Sequence, residues 1–409
     1  MRKQGNFLIL VLVTIVVISA ATYVQWGSDN TVTEGKPLFP GLIEKLDQAT
    51  HARISKGESV TELQRQEEGA WRVRNRANYP ADLAKVHELL LGTAGLERLE
   101  QKTRNPERYA RLGLSEVADK GDDAMRILIR NEEGTSLADF FVGKRGGAKG
   151  RRAQDALYVR IQGDPMVWLV EGNLPYASET TDWLEGEILR LDKMRIRGAR
   201  ITHPDGEQVI VERDGRAAMD YRLIGLPEGA EPKSTYTINS VASEMAKLRL
   251  QDVRSAKEMD FSRGEPGVKV LLTTFDGMRI TLENRRIGED VFTRLDADFD
   301  AALIEPENDG SQQGKAHSKK GDAPGLIASG NNAENTHGDD VGKEKKIAKG
   351  EPSAEEPKTR DPASVKKEAA TLSGQWRDWI YLLPKYRLNN LTRRMSDLTK
   401  EPTAKADAS

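Results

Sequence analysis

The sequence predicts an α+β protein, with two tandem copies of an antiparallel-sheet-plus-helix unit behind a single N-terminal transmembrane helix. Three observations carry this reading. Residues 7–24 (FLILVLVTIVVISAATYV) contain no charge. Two sets of strand-like runs and turns recur in the same order at a nearly constant offset. Each set holds one short amphipathic helical stretch.

The N-terminal run comes first. As a helix it spans ~27 Å, enough for a bilayer core. Phe7, Leu12 and Val17 lie within it, and Tyr23 and Trp26 sit where interfacial aromatics belong. Arg2 and Lys3 precede the run, and no basic residue follows before Lys36. The positive-inside rule then keeps the N-terminus cytoplasmic and exports the rest. Ser19-Ala20-Ala21 also offers small residues to a signal peptidase. The run exceeds the usual ~7–15-residue apolar core of a signal peptide, which favours an uncleaved anchor. Residues 1–28 are read as stub and anchor, and 29–47 as a juxtamembrane linker.

The two units follow, at 48–193 and 194–305. His51-Ala52-Arg53-Ile54-Ser55 aligns with Gly198-Ala199-Arg200-Ile201-Thr202, and Met125 to Ile129 aligns with Val268 to Leu272. Gly134 and Gly277 occupy matching turns. In the first unit, Pro80 suits a first helical turn, with Leu83, Val86 and Leu90 on one face. In the second, Val241, Met245 and Leu248 do the same. The first unit adds a hairpin, Leu157–Ile161 with Met166–Val170. Thr180–Met194 then connects the units as a helix or a short helix–strand segment. Antiparallel strands of this kind leave edges open to association.

Residues 306–371 contain no Phe, Trp or Tyr and nearly balanced charge, the composition of a disordered linker. Residues 372–400 are read as an amphipathic helical segment, broken or kinked at Pro384, because Leu388, Leu391, Met395 and Leu398 fall on one stripe. Trp376 and Trp379 open it as candidate interaction residues. This segment is expected to pack back on the folded body, with docking of a partner as the alternative. Residues 401–409 form a tail.

Composition narrows the function. The chain has 409 residues, 62 Lys+Arg against 64 Asp+Glu, and no Cys. The charge balance argues against a nucleic-acid binder. The absence of Cys removes disulfides, Cys-ligated zinc, iron–sulfur clusters and thiol nucleophiles. One local exception is the Gly-rich run 143–152, whose Lys144, Arg145, Lys149, Arg151 and Arg152 form a basic hairpin tip. It lacks the spacing and the hydroxyl of a phosphate loop, and a candidate contact with an anionic or acidic partner is the reading kept for it. His203-Pro204-Asp205 is turn chemistry. Asp296, Asp298, Asp300 and Glu307 approach calcium-loop spacing, but Ala301 stands where glycine is required. His51, His87 and His203 form no local zinc motif, and no Gly-x-Ser-x-Gly elbow is present. Trp71, Trp168 and Trp183 are expected in the core. No catalytic residue, metal or cofactor is expected.

Several short motifs add a resemblance. They are Trp71-Arg72-Val73, Tyr79-Pro80-Ala81-Asp82, Asn105-Pro106-Glu107-Arg108-Tyr109, Leu112-Gly113-Leu114, Val167-Trp168-Leu169-Val170 and Thr181-Asp182-Trp183-Leu184. With the N-terminal span, they resemble the domain-of-unknown-function 4340 family of membrane-anchored bacterial proteins. The resemblance implies an extracytoplasmic partner of a membrane complex, and with the N-terminal span the chain is read as a non-enzymatic accessory protein of the bacterial inner membrane with its bulk in the periplasm. Its implied partners are membrane lipid through the N-terminal helix and membrane-complex proteins such as transporter subunits. A periplasmic glycan- or lipid-binding module, with its site between the two repeats, is the alternative.

Overall fold

The computed structural model describes residues 35–115, 124–146, 156–175, 177–304 and 360–400. The anchor residues Phe7, Leu12, Val17, Tyr23 and Trp26 lie outside these, as do Lys149, Arg151 and Arg152. Among the described residues no helix is long and apolar enough to cross a membrane.

The first half contributes β1 (Lys36–Pro37), β2 (Ala49–Lys56), β3 (Ser59–Arg65), β4 (Trp71–Val73) and β5 (Tyr79–Pro80). Helix α1 (Leu83–Ala94) follows, then β6 (Glu97–Thr103), β7 (Met125–Asn131), β8 (Ser136–Arg145), β9 (Ala156–Ile161) and β10 (Val167–Glu171). They form one ten-stranded sheet in the order β1-β6-β10-β9-β8-β7-β2-β3-β4-β5. Alternation builds it: Met125, Ile127 and Ile129 of β7 are buried, with less buried residues between them.

The second half contributes β11 (Glu187–Arg190), β12 (Ile196–Thr202), β13 (Gln208–Glu212) and β14 (Arg222–Ile224). Helix α2 (Thr235–Ser243) follows, then β15 (Lys247–Arg249), β16 (Asp252–Ser255), β17 (Glu265–Thr274), β18 (Met278–Ile287) and β19 (Asp290–Phe299). The C-terminal region adds α3 (Pro362–Trp376), β20 (Trp379–Leu382), α4 (Lys385–Leu391) and α5 (Met395–Leu398). The main sheet runs β14-β13-β12-β17-β18-β19-β20-β16, and β11 pairs with β15 apart from it. The paired strands of both halves are antiparallel, so the fold is mixed α+β.

The two strand orders read alike. From β4 the first sheet runs β4-β3-β2-β7-β8-β9-β10-β6, and the second sheet repeats this order position by position from β14 to β16. The C-terminal strand β20 therefore holds in the second sheet the place of β10 in the first. It pairs with β19 through Phe292 and Leu382, and with β16 from Asp252–Leu382 to Ser255–Trp379.

The closures match as well. In the first half, the Asp82 amide donates to the Trp183 carbonyl (2.8 Å) and the Glu185 amide to the Pro80 carbonyl (2.9 Å). In the second, the Lys233 amide donates to the Leu398 carbonyl (2.7 Å) and the Lys400 amide to the Glu231 carbonyl (2.8 Å). Each pair ties the segment after the last strand to the segment leading into the helix. Trp183 and Leu398 are fully buried there.

Four expectations are corrected. Pro80 lies in β5, and α1 starts at Leu83 with Asp82 as its N-cap, accepting from the Lys85 amide at 3.1 Å. The buried face of α1 is Val86, Leu89, Leu90 and Thr93, while Leu83 is exposed. Burying each such aliphatic side chain contributes roughly 1.5–3 kcal/mol. Helix α2 stops at Ser243, so Met245 falls in a 3-10 turn and Leu248 in β15, although all three expected residues are buried. The stretch read as linker up to residue 371 ends earlier, because α3 begins at Pro362 with Asp361 accepting from the Ser364 amide at 3.1 Å. The C-terminal segment breaks at Pro384 as expected, but the part before the break holds the strand β20 and is not helical throughout. Its stripe residues Leu391 and Leu398 are nevertheless buried, with Leu388 and Met395 packed against the same core.

Candidate functional site

The two sheets meet where the β4–β5 turn of the first faces the α3–β20 corner of the second. Ala77 (φ 51°) and Asn78 (φ 62°) form this turn, and they are the positive-φ residues other than glycine among the described residues. Such backbone is costly without glycine and persists where surrounding contacts fix it. Here those contacts flank the turn. On one side, Arg76 Nε donates to Asp252 Oδ1 of β16 at 2.8 Å. On the other, the Tyr79 ring stands edge-on to Trp379, with centroids 4.9 Å apart and planes at 85°. The Tyr381 ring lies 6.4 Å from Tyr79, also edge-on.

A cleft of about 400 Å³ opens at this junction, within the ~300–1,000 Å³ typical of ligand sites. Tyr79, Trp376, Trp379 and Tyr381 supply its aromatic wall, and Pro80 and Ile188 add apolar surface. Arg72, Glu185, Glu187 and Gln375 supply its polar groups. Trp376 is buried, its indole N–H donating to the Ile188 carbonyl at 3.1 Å. Tyr79 and Tyr381 are buried too, whereas Trp379 is half-buried and faces the cleft. Among the described residues, the Arg72 guanidinium and the Gln375 amide have no side-chain hydrogen bond or ion pair. Glu187 is engaged by Arg190, whose Nε donates at 2.7 Å. Glu185 accepts from the Glu187 amide at 3.1 Å.

The titration of these groups suits binding. Burial pushes the Tyr79 and Tyr381 phenols well above the ordinary tyrosine range, so both stay neutral. Burial also opposes the charge on Asp252. Hydrogen bonds from Arg254, Arg76 and the Val253 amide outweigh it, and the carboxyl is held below the usual range. Arg254 reaches the second carboxylate oxygen at 2.5 Å.

The other candidate residues have structural partners. Lys144 and Arg145 end β8 beside a register shift, both exposed, and Arg145 donates to the Leu174 carbonyl at 2.7 Å. Trp376, expected as an interaction residue, is core; Trp379 lines the cleft. His203 closes the β12–β13 turn and its Nε2 pairs with the Arg393 carbonyl at 3.1 Å. Next to it, Arg394 binds both Asp205 and Glu207. Arg279 bridges Asp298 (2.6 Å) and Asp300 (3.1 Å), and Ser373 donates to Asp296 at 2.6 Å. These acids therefore serve the β18–β19–α3 packing, and no group of metal-ligating residues occurs among the described residues. Trp71, Trp168 and Trp183 are buried.

Sequence reasoning missed Tyr79, Tyr381, Arg72, Glu185 and Gln375 as site residues. Tyr79 was visible only as part of a motif before a helix. The one usable signal was the Trp-Ile-Tyr-Leu alternation at 379–382, which points Trp379 and Tyr381 to one side of a strand.

No curated protein and no solved structure matches the chain. Residues 71–263, from β4 to the turn after β16, match the family model described as Domain of unknown function (DUF4340), and this match supports placing that stretch in the family.

Proposed function

We propose that this chain is a non-enzymatic, membrane-anchored periplasmic accessory module. It would serve an ABC-type transport or cell-envelope complex, with the N-terminal apolar run as its anchor in the bacterial inner membrane. The two sheets are tandem copies of one α+β unit, the second completed by the C-terminal strand. The observation that carries the interaction reading is apolar surface left open around α2. Tyr236 (83% exposed), Met219 (71%) and Tyr386 (60%) lie on or beside this helix, with Ile224 on the adjoining edge strand β14. The Tyr221 amide bonds Asn239 of α2 at 2.8 Å, which holds the Met219 segment against the helix. Exposed apolar side chains on elements that pack together beside an open sheet edge suit a protein contact. Purification from detergent-solubilised membranes tests this reading. The intact chain is expected to recover transporter subunits, and Tyr236→Asp with Met219→Asp to lose them. A reproducibly partner-free wild type contradicts it.

The junction cleft favours a second reading, a glycan- or lipid-binding module with its site between the repeats. The half-buried Trp379, with Arg72 and Gln375, whose side chains have no hydrogen-bond or ion-pair partner among the described residues, supports that reading.

A further inference from the structure

We propose that the junction cleft binds a neutral saccharide, with one sugar ring stacked on the face of Trp379 and its hydroxyls bonded by Arg72, Glu185 and Gln375. This rests on the second reading above and names its ligand.

The aromatic geometry points to a platform. Of the four aromatic residues at the cleft, Tyr79, Trp376 and Tyr381 are at most 5% exposed, so their rings support the site from within. Trp379 alone among them is partly exposed. The Tyr79 edge, 4.9 Å away at 85°, and the β16–β20 pairing hold that ring in place before any ligand arrives. A fixed apolar face of this kind loses little conformational entropy on binding. The C–H face of a pyranose is flat and weakly polar, and it covers an indole face without desolvating a charge.

The polar groups select among ligands. Glu187 is already committed to Arg190, which leaves the positive Arg72 and the negative Glu185 in balance. An anionic lipid headgroup calls for an excess of cationic donors, and the cleft offers one arginine. A quaternary ammonium calls for several exposed aromatic side chains around it, and of the four at the cleft Trp379 alone is more than 5% exposed. A neutral polyhydroxylated ring uses what is present: planar donors on Arg72, an acceptor pair on Glu185, and both kinds on Gln375. The volume of about 400 Å³ accepts a short oligosaccharide segment rather than a long acyl chain.

The test uses the full-length protein purified in detergent, titrated with cellotetraose, maltotetraose and chitotetraose, with tryptophan fluorescence and calorimetry as readouts. At least one tetrasaccharide is expected to bind saturably, with Kd at or below about 1 mM. Gln375→Ala and Arg72→Ala are each expected to weaken it about five- to tenfold, the loss of one hydrogen-bonding group. Neither side chain has a hydrogen-bond or ion-pair partner among the described residues, so the melting temperature is expected to hold. Trp379→Ala abolishes binding, and the other two variants keep the test decisive if that one misfolds. No binding of any tetrasaccharide up to about 10 mM, or binding unchanged in the Gln375 and Arg72 variants, overturns the proposal. Vesicles of phosphatidylglycerol provide a separate arm. Vesicle binding lost in Arg72→Ala, with no sugar binding, keeps the cleft as a ligand site and overturns the saccharide. A co-purifying protein lost in Arg72→Ala, with neither sugar nor lipid bound, overturns the ligand reading as well.

Discussion

Tyr79 and Trp379 meet edge to face across the junction of the two sheets, their ring centroids 4.9 Å apart. One belongs to a two-residue edge strand in the first half, the other to the last strand among the described residues. Their contact joins the C-terminal region to the first sheet, while β20 joins it to the second.

This contact is expected to carry stability as well as the site. Tyr79→Ala removes a buried ring and should cost about 3–5 kcal/mol in urea denaturation. Tyr79→Phe keeps the ring and removes only the buried hydroxyl, so about 1 kcal/mol or less is expected. Equal losses for the two variants would show that the ring contact itself contributes little.

The paired closures make a second prediction. Leu398 is fully buried, and its carbonyl accepts from the Lys233 amide at 2.7 Å. Leu398→Ala should cost about 2–5 kcal/mol. It should also raise hydrogen exchange at the Lys233 amide, while the Asp82 amide of the other closure stays protected. Loss of protection at both would show that the closures are not independent.

Much of the body was legible in the sequence, because local chemistry decides it. Alternation marked β7 and β17, and the turn glycines Gly134 and Gly277 marked the hairpins after them. The C-terminal region was less so. Helix α3 buries only Val365, Ala369 and Trp376, so its charged surface reads as linker. Strand β20 is four residues long between helical patterns, and partners drawn from β16 and β19 define it. The cleft was hidden for the same reason. Tyr79, Glu185 and Trp379 lie far apart in the chain, and no local period connects them.

Those two glycines should differ in what they tolerate. Gly134 has φ +82° with open space where a Cβ would stand. Gly134→Ala is expected to cost about 1 kcal/mol from left-handed backbone alone. Gly277 has φ +94°, and a Cβ there would come within 2.8 Å of the Phe299 ring and 2.9 Å of the Asp300 carbonyl. Gly277→Ala should lower the melting temperature clearly more than Gly134→Ala. The reverse order would contradict the close approach of Phe299.

Acid should weaken the junction through Asp252. Its carboxyl is held below the usual range in the folded protein. The stabilisation is therefore present above the unfolded carboxyl value, about 3.9, and is lost as pH falls through the lower folded value. Asp252→Asn should destabilise the protein at neutral pH by about 1–3 kcal/mol. Below about pH 4, the stability difference between variant and wild type should narrow. A difference that stays constant down to pH 2 would remove Asp252 from the account.

The central claim is that the surface around α2 contacts a membrane-complex partner. Photo-crosslinking in living cells tests it most directly, with a benzophenone amino acid in place of Tyr236 and, as a control, in place of the exposed Glu68 on the β3–β4 turn. The account predicts a discrete adduct with a membrane protein from position 236 and none from position 68. The same background from both positions would contradict it.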